Sequence, residues 1–125
     1  MPQVAERDFV EVFRRLTEIM AEHAGALDVA ADGPTGYRLN TRQVRKDGYV
    51  PMLGAVVVNK RYVSYHLMPV YMAPPGVLPI SEPLRRRMQG KACFNFTRID
   101  EGLFAELSDL TRRSITVVNA TRLTG

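Results

Sequence analysis

A nearly unbroken apolar run, MLGAVVVN at 52–59, is followed almost at once by YVSYHLMPVY at 62–71. No other feature of the chain constrains its fold as much. The first run is short and rich in β-branched valine, which predicts a strand covered on both faces rather than a helix. Asn59-Lys60 or Lys60-Arg61 closes a tight hairpin, because Asn tolerates the positive φ such turns require. The second run becomes the partner strand. Its period-two alternation sends Tyr62, Ser64, His66 and Met68 to one face and Val63, Tyr65 and Leu67 to the other, the core face.

Helical patterns flank this hairpin. Phe9, Phe13, Leu16 and Met20 recur at helical spacing with Val12 and Ile19 beside them, and Glu11, Arg14, Arg15, Glu18 and Glu22 fill the opposite face. Gly25 is the expected stop. ALDVAAD and GYRLNTR, within residues 26–43, read as two weaker strands joined by DGPTG, with a further bend at Asp47-Gly48. Pro69, Pro74, Pro75 and Pro79 predict an irregular connection over 69–80. Ser81 caps a short helix whose Leu84 and Met88 form an apolar face before Gly90. CFNF alternates as another strand. Asp100 caps a last helix with a buried stripe of Leu103, Leu107 and Leu110, and with Arg112 and Arg113 suited to its C-terminal dipole. SITVVNA, at 114–120, reads as a final strand or a docked tail. Strands clustered between helices define an α+β class: one compact domain over residues 1–125, with a mainly antiparallel sheet packed by N-terminal and C-terminal helices.

Composition narrows the function. A chain of 125 residues makes one domain with a substantial core. No apolar stretch approaches a membrane span, and the N-terminus carries no secretory h-region. The single cysteine, Cys93, excludes a disulfide framework, so a cytoplasmic location is expected. The net charge of +4 is uneven. Residues 1–24 hold three Arg against five acidic residues, whereas residues 61–99 hold six basic residues against one Glu. Such a basic middle suits an anionic partner or simple solubility, and the aromatic pattern argues against nucleic acid. Neither GxGxxG nor GxxxxGK[ST] occurs, which argues against dinucleotide and P-loop enzymes.

Ser64 and His66, two apart on one strand face, suggest a proton relay, but no nucleophile elbow accompanies them. A half-buried histidine bonded to the backbone or to a tyrosine is the favoured alternative. His23 and His66 show no metal-ligand spacing. Cys93 follows Lys91 closely, as a perturbed thiolate would, although lone cysteines are usually small buried hydrophobes. Arg85, Arg86 and Arg87 spread around a short helix, and a solvated face is their default role.

In order, YVSYHLMPVY, GKACFNF and LFAELSDLT resemble the bacterial YdhG-like domains, small proteins mostly without an assigned activity. The resemblance covers roughly residues 5–113. It implies a compact α+β domain in which YVSYHL and GKACFNF are adjacent strands. Ser64, His66, Lys91, Cys93 and Asn95 would then meet, with Tyr62 and Arg85 nearby, as a pocket or groove for a small anionic ligand. Some members are described as frataxin-like iron chaperones. That alternative would place iron on carboxylates of the first helix, Glu11, Glu18 and Glu22, among which Arg7, Arg14 and Arg15 are interspersed. The expectation is thus a cytosolic bacterial binding module for a small ligand or protein partner, non-enzymatic and without a resident cofactor. Iron handling is the first alternative, and an enzyme using His66 or Cys93 the second. Met52, Met68 and Met72 would cover either a core or a dimer face, leaving monomer and homodimer open.

Overall fold

The alternation around residue 60 forms the centre of the sheet. The computed structural model describes residues 2–23, 25, 27–41, 52–72, 76–90 and 92–124. Helix α1 (Pro2–Glu22) leads into strands β1 (Asp28–Asp32), β2 (Gly36–Asn40), β3 (Met52–Val58) and β4 (Val63–Leu67). Short helices α2 (Met68–Met72) and α3 (Glu82–Arg85) follow, then β5 (Met88–Gln89), β6 (Cys93–Phe96) and the long α4 (Glu101–Thr124). The sheet order is β1-β2-β3-β4-β6-β5, and all five strand pairs are antiparallel. The class is α+β, with N-terminal and C-terminal helices packed on one antiparallel sheet.

The four helices of the described residues lie on one side. Helix α1 contacts β3, β4 and α4, while α2 and α3 both contact α4. Val12, Leu16 and Met20 of α1 meet Tyr37, Leu39, Val56, Tyr65, Leu67 and Phe94 of the sheet. Helix α4 adds Phe104, Leu107 and Leu110, with Phe104 edge-on to Phe96 at 5.1 Å between centroids. Arg15 joins the two long helices by pairing with Glu101 and lying 5.9 Å from the Phe104 ring centroid. Gly54 makes the close seating of α1 possible. A Cβ there would strike the His66 carbonyl oxygen and come within 2.8 Å of Met20 Cε.

Some expectations hold and others need correction. Strand β3 is covered on both faces over Leu53 to Val56, as its apolar run predicts, and opens to solvent only at Val57, which is 42% exposed. The hairpin keeps Lys60-Arg61 at its tip, the second of the two expected turns, closed by the Asn59 N–H donating to the Tyr62 carbonyl at 2.8 Å. No described residue other than glycine takes positive φ, so Asn59 does not use that freedom. Strand β4 stops at Leu67, and Met68 to Met72 turn helical. Pro69 falls in the first turn of that helix, where an N–H has no intrahelical partner anyway.

Ser81 does cap α3, accepting from the Leu84 N–H, but Arg86 and Arg87 lie beyond the helix and Met88 begins β5 opposite Phe94. Gly90 takes φ 79° at the turn before β6. Asp100 caps α4 through the Leu103 N–H at 3.1 Å. The buried stripe of α4 runs through Phe104, Leu107, Leu110, Thr111 and Ser114, with Leu103 only half-buried. SITVVNA is neither strand nor tail: α4 continues through it. Arg112 and Arg113 therefore lie within the helix, where both pair with Asp109. The proposed Asp47-Gly48 bend lies outside the described residues. Among the described residues, no helix is long and apolar enough to cross a membrane.

Candidate functional site

Pairing of β4 with β6 sets Ser64 opposite Asn95 and His66 opposite Cys93. Directly paired residues share a face, and Tyr65–Phe94 and Val63–Phe96 occupy the core face. Ser64, His66, Cys93 and Asn95 consequently stand together on the side away from the four helices. Strand β3 contributes Ala55 opposite His66 and Val57 opposite Ser64. Beyond Ala55 lies Arg38 of β2, and beyond Cys93 lies Gln89 of β5.

A directional chain of hydrogen bonds crosses this face. Asn59 Nδ2 donates to Ser64 Oγ at 2.9 Å, and Ser64 Oγ donates to Asn95 Oδ1 at 3.2 Å. Asn95 Nδ2 then donates to Gln89 Oε1 at 2.7 Å. Beside this chain, His66 Nδ1 meets Cys93 Sγ at 2.8 Å. Burial holds the His66 imidazole below its ordinary pKa and pushes the Cys93 thiol above its own. Both shifts favour a neutral imidazole beside a thiol, and the imidazole tautomer decides which of Nδ1 and Sγ donates. His66 Nε2 is buried without a hydrogen-bond partner among the described residues. A thiolate–imidazolium nucleophile is not the resting state of this pair.

The remaining sequence candidates lie elsewhere. Tyr62 precedes β4 in the hairpin loop, where its carbonyl accepts the Asn59 N–H. Lys91 lies outside the described residues. Arg85 is on α3, which packs against α4 on the helical side. A cavity of about 320 Å³ between α3 and the start of α4 is lined by Pro83, Arg86, Arg87, Asp100, Gly102 and Leu103, none of which belongs to the β4–β6 cluster. On α1, Arg14 bridges Glu11 and Glu18 at 2.8 and 2.9 Å, while Glu22 is exposed at the helix end. Among the described residues, no three His, Cys, Asp or Glu side chains are grouped as a metal site requires.

Asn59, Gln89 and Arg38 went unread in the sequence. The sequence marks Asn59 only as a turn residue and places Gln89 at the end of a short helix. Arg38 carries no motif; only the register opposite Ala55 places it on this face. No family model, curated protein or solved structure matches the chain.

Proposed function

We propose that this chain is a non-enzymatic binding module of the YdhG-like kind, acting in the cytoplasm and recognising a small ligand on the sheet face opposite the helices. The observation that carries this reading is the chemistry of that face. Sheet positions facing water are ordinarily polar, and with 24% of this chain charged, some of them would be expected to carry charge. Yet Ala55, Val57, Ser64, His66, Cys93 and Asn95 form a contiguous uncharged patch across β3, β4 and β6. Its half-buried polar groups are held in register by one another, as a recognition surface requires. A resting thiol and a neutral imidazole favour binding over nucleophilic chemistry. The single cysteine suits a reducing compartment.

The test is an amide-resolved NMR screen of the purified chain against a library of small metabolites. Shifts from binders should map to β4 and β6, and Ser64→Ala with Asn95→Ala should abolish them. Binders mapping to the α1–α4 side instead would overturn the reading.

A further inference from the structure

Cys93 is the only thiol of the chain, and the β4–β6 register sets an imidazole directly opposite it. Facing residues of an antiparallel pair hold their Cβ atoms about 4.5–5.5 Å apart, so the backbone keeps these two donors together. Cys93 Sγ and His66 Nδ1 meet at 2.8 Å. Both residues are half-buried on the side away from the helices, where side-chain tips turn without disturbing the core. Burial is the cause of both pKa shifts, with no charged group contributing to either. The pair is thus one soft sulfur and one borderline nitrogen in an uncharged setting, joined by a single exchangeable hydrogen.

A thiophilic cation can take the place of that hydrogen. The thiol proton leaves to solvent and a sulfur–metal bond forms. The Nδ1 lone pair makes the second bond, while Nε2 keeps the imidazole hydrogen. Charge decides the valence. Thiolate, neutral imidazole and a monovalent ion sum to zero, whereas a divalent ion leaves an uncompensated charge on a half-buried face. Donor number decides the metal. Among the described residues no third His, Cys, Asp or Glu is grouped with the pair, so zinc or iron finds only part of a coordination shell. A soft, closed-shell monovalent ion is satisfied by two ligands in line and prefers sulfur. We propose that Cys93 Sγ and His66 Nδ1 form a two-coordinate site for copper(I), with the two side chains turning apart to admit the ion. This site is independent of the small-ligand reading, because it uses neither Ser64 nor Asn95.

The experiment titrates the purified chain with copper(I) under anaerobic conditions against the chromophoric chelator bicinchoninate. One ion should bind per chain. Cys93→Ser should abolish binding. His66→Asn should weaken it by about tenfold or more, at least the cost of losing an outer-shell partner of a metal. His23→Asn should leave it unchanged, and so should Ser64→Ala combined with Asn95→Ala, which separates failure of this site from failure of the small-ligand face. Silver(I), a redox-inert ion of the same class, supplies a readout that needs no variant. In NMR of the imidazole nitrogens of the intact protein, it should move His66 Nδ1 far more than His66 Nε2 or either nitrogen of His23. Equal copper(I) affinity in His66→Asn would reduce the site to a bare thiol and overturn the proposal. So would movement of Nε2 rather than Nδ1, or displacement of copper(I) by an equal concentration of zinc(II).

Discussion

Buried polar contacts show what single residues contribute. Tyr65 is completely buried and its hydroxyl lies 2.6 Å from Thr111 Oγ1, which itself donates to the Leu107 carbonyl at 2.7 Å. Thr111 has one hydroxyl hydrogen, and the carbonyl can only accept, so Tyr65 must be the donor in its bond to Thr111. The two deletions are therefore unequal. Tyr65→Phe removes a donor and leaves Thr111 bonded to Leu107, at a cost of about 1 kcal/mol. Thr111→Val keeps the shape but strands the buried Tyr65 O–H, at a cost of about 2 kcal/mol or more. Urea denaturation of both variants checks the order, and a larger loss in Tyr65→Phe would reverse the assigned direction. His66 gives a pH signature. Burial lowers its pKa in the folded chain, so on acidification the unfolded chain takes up the proton first. Stability from this site is complete above the ordinary histidine range and declines as pH falls through it. The urea midpoint should fall between about pH 7.5 and 5.5, and His66→Asn should flatten that slope. Glu11, Glu101 and Asp109 are held below their ordinary values chiefly by hydrogen bonds to arginine, so their contributions are lost only at lower pH.

The elements show where sequence pattern was sufficient and where packing overrode it. Strand β3, its hairpin partner β4, the cap at Ser81 and the start of α4 at Asp100 all follow from local chemistry: alternation, β-branching and side-chain oxygens that accept helix N–H groups. SITVVNA misled because β-branched residues favour strands in isolation. In place, Ser114 is fully buried and Ile115 packs against the core, so tertiary contact carries the helix onward. Met88 spaced from Leu84 resembled a helical turn, while its real neighbour, Phe94 across the sheet, is invisible to local spacing. Gly54 was equally unreadable, since the need for a missing side chain arises only when α1 crosses β3. Gly54→Ala should destabilise by about 2 kcal/mol or more, because the new methyl meets backbone that has no rotamer to change. Met20→Ala in the same chain should relieve only the side-chain half of the clash and leave most of the loss, as measured by thermal or urea unfolding. Full rescue would show that the His66 carbonyl yields.

Across the whole molecule, the apolar core and the polar cluster of β4 and β6 lie on opposite sides of one sheet. The alternation of β4 already separated Ser64 and His66 from Val63, Tyr65 and Leu67, and that division was legible in the sequence. That every helix would gather on the second set was not, because the side a helix packs on depends on chain crossings that no local pattern records. The partners contributed by β5 and the hairpin were hidden for the same reason. This two-sidedness makes a prediction for the molecule as a unit. Leu67→Ala, on the helical side, should cost about 2–5 kcal/mol through lost burial and the cavity left behind. Ser64→Ala combined with Asn95→Ala, one strand over and facing away, removes both members of a hydrogen-bonded pair and should cost about 1 kcal/mol or less. Ligand binding should respond in the opposite order, surviving in whatever fraction of Leu67→Ala remains folded and vanishing in the double variant. Urea midpoints paired with NMR titrations of the same samples measure both quantities. If the double variant unfolds as readily as Leu67→Ala, the polar face is part of what holds the domain together, and its hydrogen-bond chain is structural rather than a surface kept for a ligand.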